Sequence, residues 1–200
     1  VEPNMLKTPR SAGLSEKHYK IIRDIIYNTC RIDLRSGKKD LVQARLAKRL
    51  RALGIQDFDA YLAYVEADQS GQELFSMVDT LTTNLTFFFR EQFHYEYLTE
   101  QILARIPEDS GRRFRVWSAG CSSGEEAYSI AITMREAWPS IDRMDAAILA
   151  TDISKRMIDA AQGATYPDSR LRETPSFIRE KYFSKIDHKA DVYYKVKPEV

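Results

Sequence analysis

The feature that most constrains the fold is a strand, turn and helix pattern between residues 116 and 134. An apolar run at residues 116–119 leads into the small residues 120–124, and a largely apolar segment at 127–134 follows. In Rossmann-like sheets, a turn of small residues between a strand and a helix lets the backbone approach a nucleotide-type ligand. The pattern therefore predicts an α/β domain with a ligand site at the end of its first strand.

The residues after this turn indicate the kind of ligand. Glu125 and Glu126 follow Gly124, whereas a phosphate-binding loop needs Gly-Lys followed by Ser or Thr. Acidic side chains suit a ligand that carries positive charge and free hydroxyls. S-adenosylmethionine (SAM), with its sulfonium, ammonium and ribose diol, fits that description.

A second apolar run supports a ribose-containing ligand. Residues 147–151 are typical of a buried strand, and Asp152 follows at the carboxyl end, where a carboxylate can accept hydrogen bonds from ribose hydroxyls. A dinucleotide such as NAD is the alternative ligand. Asp152 also fits a purely structural role at the start of a helix that Ser154 is expected to cap.

Composition excludes several classes of protein. The 200 residues carry 30 Lys and Arg against 29 Asp and Glu, so the net charge indicates no partner. Cys30 and Cys121 do not make a disulfide framework, and no metal-ligand spacing occurs. Because there is no signal peptide or membrane-length apolar run, we expect a soluble, cytoplasmic protein without a metal site.

The first half predicts a small bundle of helices after a loose tail at residues 1–13. Val42, Leu46, Leu50 and Leu53 recur at helical spacing and form one apolar stripe. The four expected helices run from a Ser15 cap to about 30, from an Asp40 cap over 41–53 to Gly54, from an Asp57 cap over 58–67, and from Ser70 or Gly71 to about 81.

The second helix carries a strongly basic face. Eight basic residues and two acids lie between Arg31 and Arg51. Such a face should steer and hold an anionic partner, either a nucleic acid or an acidic protein surface, although most charge runs are simply solvated. The stretch lacks interleaved aromatic residues for stacking on bases, which lowers the case for nucleic acid. Its candidate binding residues are Arg45, Lys48, Arg49 and Arg51.

The segment between the two halves has three consecutive phenylalanines, at residues 87–89. This pattern suggests a segment pinned between two domains, where ligand pockets are common. Asn84 and Thr86 can hydrogen-bond a ligand, and Arg90 offers a planar fork for a carboxylate. The alternative is an ordinary helix start, capped by Thr and packed by Phe.

Several stretches together resemble the CheR-type chemotaxis receptor methyltransferases, which are SAM-dependent enzymes that methylate glutamate side chains of chemoreceptors. The resemblance covers roughly residues 14–200, and Ala127 departs from it because family members usually have Pro there. The matching stretches are residues 45–54, 83–91, 116–132, 150–154, 163–166 and 180–183.

The resemblance implies a small helical bundle followed by a Rossmann-like SAM-dependent methyltransferase domain. Its expected divisions are an all-helical receptor-recognition domain at 14–81, a linker at 82–92 and a catalytic domain at 93–200. The C-terminal part of that domain is expected beyond Val200, and a small antiparallel β-subdomain is expected to begin near 190–200. We expect strands at 114–118 and 148–152, helices at 155–162 and 175–183, and an edge strand at 191–196.

The resemblance also implies residue roles. Arg90 is the expected catalytic residue, because it contacts SAM and orients the incoming glutamate. Glu126 is expected at the methionine side of SAM, with Glu125 as the weaker choice, and Cys121 as a small turn residue rather than a nucleophile. The full set expected to bind SAM is Asn84, Thr86, Arg90, Gly120, Glu126 and Asp152. Arg45, Lys48, Arg49 and Arg51 are expected to face the receptor.

The implied reaction gives glutamate methyl esters and S-adenosylhomocysteine and serves sensory adaptation in chemotaxis. The implied partner is the cytoplasmic domain of chemoreceptors, with no nucleic acid, no membrane insertion and a monomeric enzyme. Two alternatives are a nucleic-acid methyltransferase that uses the basic helix on phosphates and a non-catalytic SAM-binding signalling module.

Overall fold

The structure, a computed structural model, describes residues 13–35, 37–107, 111, 113–188 and 191–200. Apart from Gly13, the tail expected at residues 1–13 lies outside the described residues. The chain divides into two compact units, Val1–Thr83 and Asn84–Val200. Within the described residues, no helix is long and apolar enough to cross a membrane.

The described part of the first unit contains four α-helices, as the sequence predicts. Ser15 caps α1 by accepting the N–H of His18, and Asp57 caps α3 by accepting the N–H of Ala60. Gly54 ends α2 in a left-handed conformation. The helices are α1 (Glu16–Cys30), α2 (Lys39–Leu53), α3 (Phe58–Ala67) and α4 (Gln72–Leu81).

The start of α2 differs from the prediction. Asp40 does not cap this helix but lies in its first turn, and Lys38 occupies the cap position without a side-chain bond. The N–H of Val42 donates to the Lys38 carbonyl at 2.9 Å, which adds residues before the predicted start. Because a helix N-terminus carries partial positive charge, Asp40 still stabilises α2 from its first turn.

The core of the first unit follows the predicted stripe. Val42, Leu46 and Leu50 are buried, and Leu53 is partly buried against the same cluster. Burying a side chain of this size stabilises the fold by about 1.5–3 kcal/mol. The packing of the helices therefore depends mainly on this buried apolar cluster.

In the second unit, the described residues form helices and two small sheets. A π-helical turn (Leu98–Ile102) and a short 3₁₀ turn (Leu103–Arg105) continue the first helix of the unit. The elements are α5 (Phe93–Tyr97), β1 (Phe114–Ala119), α6 (Glu125–Ala137), β2 (Ala146–Thr151), α7 (Lys155–Gly163), β3 (Thr165–Pro167), α8 (Ser176–Tyr182), β4 (Phe183–His188) and β5 (Asp191–Val196).

Strands β1 and β2 form a parallel pair, in register from Phe114 opposite Ala146 to Ala119 opposite Thr151. Helix α6 connects them, which makes a βαβ unit. Since both strands end at the same edge, Gly120 and Asp152 emerge side by side. The expected class, a helical bundle followed by a Rossmann-like α/β domain, is confirmed.

The other sheet is antiparallel, with strand order β3-β5-β4. The sequence prediction of an edge strand at residues 191–196 is wrong in one respect, because β5 is the central strand. Its apolar alternation is weak because Val192, Tyr193 and Tyr194 are only partly buried. Pairing on both sides, rather than burial of both faces, places it at the centre.

Candidate functional site

The small-residue turn is tied directly to the end of β2. The N–H groups of Gly120 and Cys121 both donate to the Thr151 carbonyl, at 2.8 and 2.9 Å. Burial raises the pKa of the Cys121 thiol, which favours a small turn residue over a nucleophile. The turn is thereby fixed at the carboxyl ends of both parallel strands.

The two glycines that bound the turn have different surroundings. Gly124 has φ +97°, and a Cβ there would lie 2.8 Å from Ala161 Cβ and 3.0 Å from Tyr166 Oη. Gly120 has φ +84°, but a Cβ there would meet nothing within 4 Å. Gly124 therefore lets α7 and β3 approach the turn, whereas the backbone at Gly120 is open to a ligand.

Asp152 connects the turn to the start of α7. Its Oδ2 accepts the N–H of Ser122 at 2.8 Å, and its Oδ1 accepts the N–H of Ser154 at 2.8 Å. Ser154 in turn caps α7 by accepting the N–H of Met157. Because a carboxylate oxygen has more than one lone pair, Asp152 can accept further hydrogen bonds while it holds both backbone segments.

The two glutamates after the turn differ sharply in exposure. Glu125 is fully buried, whereas Glu126 is exposed. The Oε1 of Glu126 accepts the Ser118 hydroxyl at 2.5 Å, which places this carboxylate beside the end of β1. Of the two acids, Glu126 is therefore the one within reach of a ligand at the strand ends.

The phenylalanine segment is pinned but not helical. Phe88 is fully buried, and its ring meets the rings of Tyr166 and Phe183 edge-on at 4.9 and 5.0 Å. Phe89 has a left-handed backbone, with φ 57°. Since α5 begins only at Phe93, the alternative of an ordinary helix start at this segment is wrong.

The predicted ligand-binding residues of this segment lie on one loop. Asn84 and Thr86 are half-buried, and Arg90 is exposed. The Nη1 of Arg90 donates to the Leu85 carbonyl at 3.0 Å, so the side chain folds back over its own loop. Its Nη2 lies 3.9 Å from Glu91 Oε1, a long ion pair at an exposed position, and the planar fork keeps further donors that can take a carboxylate.

Helix α6 links this loop to the small-residue turn. The N–H of Phe89 donates to Ser129 Oγ at 3.0 Å, and the Ser129 hydroxyl donates to the Glu125 carbonyl at 2.6 Å. The loop and the turn are thus held on the same first turns of α6. Sequence reasoning did not find Ser129, which lies on an unremarkable apolar helix.

An open cavity of about 570 Å³, lined by both polar and apolar atoms, lies between α6, β2 and α7. Its described lining includes Ala131, Ile148 and Ile158, but none of the six residues predicted to bind SAM. Within the described residues, no group of three or more His, Cys, Asp or Glu is arranged to hold a metal ion.

Two of the four basic candidates on α2 make contacts inside the first unit. The Nη1 of Arg45 donates to the carbonyls of Leu81 and Thr82, at 2.8 and 2.9 Å, and so caps the end of α4. Lys48 and Arg51 are exposed.

Arg49 forms an ion pair with an acid in the core. Its Nε and Nη2 lie 3.0 and 2.5 Å from the two oxygens of Glu73, which is only 3% exposed. The Tyr61 hydroxyl also donates to Glu73, at 2.8 Å. The hydrogen bond to Glu73 raises the pKa of Arg49, and burial raises that of Tyr61. Arg49 therefore stabilises the packing of α2 against α3 and α4.

Comparisons with known proteins match both units. The family described as "CheR methyltransferase, all-alpha domain" matches residues 17–82, and "CheR methyltransferase, SAM binding domain" matches residues 84–200. The second match supports SAM, rather than NAD, as the ligand at the strand ends.

The names of curated relatives agree with these family matches. A "Chemotaxis protein methyltransferase" of Salmonella typhimurium is 38% identical, over 90% of this chain and 60% of the relative. "Chemotaxis protein methyltransferase 2" of Pseudomonas aeruginosa is 39% identical, over 86% of this chain and 61% of the relative. The "Chemotaxis protein methyltransferase" of Escherichia coli is 35% identical, over 90% of this chain and 60% of the relative. The chain thus spans about 60% of the length of these relatives.

The resemblance inferred from the linker and turn motifs is therefore confirmed, since the matches cover both units and include those motifs. From these matches, and from a helical unit followed by a βαβ domain with an open turn at its strand ends, we conclude that the chain belongs to the CheR methyltransferase family.

Proposed function

We propose that the protein to which this chain belongs transfers the methyl group of SAM to glutamate side chains of chemoreceptors. The products are glutamate methyl esters and S-adenosylhomocysteine, and the role is sensory adaptation in chemotaxis. The observation that carries the proposal is the loop bearing Arg90, which α6 holds beside the small-residue turn that precedes Glu126. The family match supports the methyl donor.

The residues at the strand ends fit SAM by charge and by access. The exposed carboxylate of Glu126 suits the cationic methionine end, and the open backbone at Gly120 allows close approach. Asp152 retains acceptor capacity for the ribose hydroxyls. Asn84, Thr86 and Arg90 complete the proposed cofactor site from the linker loop.

The chain needs to supply little acid–base chemistry. Bound SAM supplies an electrophilic methyl group on a sulfonium. The substrate glutamate is already ionised at neutral pH, so no general base is required. Arg90 can orient its carboxylate, and orientation of this kind contributes up to about 7–11 kcal/mol to lowering a barrier. Arg90 must not bind the ground state too tightly, because that would slow the transfer.

The proposed receptor surface is the basic face of α2 in the recognition unit, residues 14–81. Lys48 and Arg51 are the exposed members that would meet an acidic receptor helix. Arg45 and Arg49 contribute to the same positive potential, but their contacts with α4 and Glu73 also hold the helices together. The partner is the cytoplasmic domain of chemoreceptors, and the enzyme is a cytoplasmic monomer.

The test is methyl transfer by the full-length protein from labelled SAM to a chemoreceptor cytoplasmic fragment. We expect label that alkali releases as methanol, because carboxyl methyl esters are labile to base. Arg90→Ala should lose more turnover than SAM affinity. Glu126→Gln should weaken SAM binding, whereas Glu180→Gln, at an exposed position on α8, should not. Alkali-stable label, or label on nucleic acid added to the same assay, would contradict the proposal.

A further inference from the structure

Glu125 is a fully buried carboxylate whose two oxygens have unequal partners. Its Oε2 accepts the Ser123 hydroxyl at 2.6 Å. Among the described residues, Oε1 accepts no hydrogen bond, and Arg170 Nη1 lies 3.6 Å away as the counter-charge. A buried charge is strongly unfavourable unless it is paired, so Arg170 is needed where it is.

Arg170 also holds the linker loop at two points. Its Nη1 donates to the Thr86 carbonyl, and its own carbonyl accepts the N–H of Phe88 at 3.1 Å. Arg170 thus forms hydrogen bonds with the loop backbone on both sides of Phe87. The same Nη1 contacts the Thr86 carbonyl and lies beside Glu125. Because one atom makes both contacts, a change in the position of Arg170 at the carboxylate also changes its contact with the loop.

The loop needs this external support because its backbone is strained. Phe89 and Glu91 have φ of 57° and 60°, a region that residues with a side chain rarely adopt. The N–H of Phe89 is held by Ser129, which itself binds the backbone of Glu125. Such a conformation persists only where the surroundings over-determine it.

We propose that Glu125 and Arg170 are positioning residues that hold the loop at residues 84–90 in the conformation that binds SAM. Neither side chain touches the cofactor. Glu125 fixes the guanidinium of Arg170, and Arg170 fixes the loop that carries Asn84, Thr86 and Arg90. The inference rests on the proposed function, because it assigns this loop to the SAM site.

Loss of this support should weaken SAM binding by an amount that depends on how often the loop keeps its binding conformation. When the binding-competent conformation is only partly populated, the apparent dissociation constant rises in inverse proportion to the fraction that remains competent. A loop that is competent one-tenth of the time therefore binds about tenfold more weakly. Saturating SAM should restore most of the turnover, so that KM changes more than kcat.

In the experiment, S-adenosylhomocysteine is titrated into the full-length protein and into its Arg170→Lys variant, and calorimetry measures the affinity of each. Lysine keeps the charge for Glu125, but its ammonium differs in reach and geometry from the guanidinium that places Nη1 between Glu125 and the Thr86 carbonyl. We expect about tenfold weaker binding, faster hydrogen exchange at the Phe88 and Phe89 amides, and a melting temperature near that of the wild type. Arg172→Lys, two residues along and exposed, is the matched control and should change none of these.

A second variant covers the case in which changing Arg170 impairs folding. Glu125→Gln preserves shape and removes the charge, so it should weaken binding and loosen the same two amides. In the double variant Glu125→Gln with Arg170→Lys, the losses should be less than additive, because both act through one contact. Wild-type affinity in either folded single variant, or fully additive losses, overturns the inference. Failure of the wild type to bind S-adenosylhomocysteine instead overturns the proposed function.

Discussion

Asp152 accepts the backbone N–H of Ser122 at 2.8 Å, thirty residues earlier in the chain. This one bond joins the turn after β1 to the turn after β2, and the second oxygen of the same carboxylate fixes the start of α7. The candidate ribose acceptor is therefore also the group that aligns the two strand ends. Its structural role does not exclude the proposed binding role, since one carboxylate has acceptor capacity for both.

Asp152→Asn should consequently reduce both stability and cofactor affinity. The amide nitrogen cannot accept an N–H, so one of the two backbone donors loses its partner, at about 1–3 kcal/mol. Urea unfolding would measure the first effect and titration with S-adenosylhomocysteine the second. Asp159→Asn, exposed on α7, is the control, and equal effects of the two changes would count against this role.

The turn glycines should respond differently to the same substitution. Gly124→Ala places a Cβ 2.8 Å from Ala161 Cβ and also strains the backbone, so we expect a loss of about 2 kcal/mol or more in the free energy of unfolding. Gly120→Ala adds only the backbone strain, about 1 kcal/mol, but obstructs ligand approach. Denaturant melts should rank Gly124→Ala as less stable, and ligand titrations should show a loss of affinity for Gly120→Ala that its stability does not explain.

Arg49→Met should destabilise the first unit strongly. It leaves the buried carboxylate of Glu73 without its counter-charge, and breaking one side of a buried pair costs about 3–5 kcal/mol. The same change at exposed Arg51 should stay within about 0.5 kcal/mol. Circular dichroism during urea unfolding would compare the two, and similar stabilities would mean that the Arg49–Glu73 pair contributes little.

Reversal of the exposed charges on α2 should affect the receptor step alone. With Lys48→Glu and Arg51→Glu together, we expect about tenfold slower association with a receptor fragment at low ionic strength, and a smaller difference at high salt. The pair Lys17→Glu and Lys20→Glu on α1 makes the same change in net charge at exposed positions. If this control pair slows association equally, the effect belongs to net charge and not to the α2 face.

Glu136 gives the fold a pH-dependent contribution. Burial by itself would raise the pKa of Glu136, but hydrogen bonds from Lys181 and Tyr182 outweigh it and lower the pKa below the ordinary 4.5. A carboxyl with a lowered folded-state pKa stabilises the fold above its unfolded pKa, and this contribution is lost as the pH falls through the folded value. Glu136→Gln should therefore be less stable than the wild type at pH 7, with the gap closing below about pH 4.5 in unfolding curves recorded against pH. A gap that is constant from neutral to acid pH would show that the charge is not its source.

Local signals in the sequence predicted the parts of the molecule that local chemistry decides. The caps at Ser15 and Asp57, the stripe on α2 and the strand, turn and helix around Gly120 all follow from short-range patterns. The start of α2 was misplaced because Asp40 suits either a cap or a first turn, and only the Val42 backbone bond distinguishes them.

Contacts between residues that are far apart in the sequence could not be predicted from local patterns. Arg170 lies in a short 3₁₀ turn (Asp168–Leu171) with no motif, and its importance depends on Thr86 and Glu125, which are remote in the chain. Arg49 looked like one more surface charge because its partner Glu73 lies two helices away. The preference for Glu126 over Glu125 came from the family resemblance alone, since adjacent acids carry no signal of which one is buried.

The close approach of α7 to the turn also restricts how related sequences can vary. The volume that a Cβ on Gly124 would occupy already belongs to Ala161. Neither position can accept a larger side chain unless the helix moves, and the helix is fixed at its start through Asp152 and Ser154. Across homologous chains, residue sizes at positions 124 and 161 should therefore covary as a pair, although 36 residues separate them in the sequence.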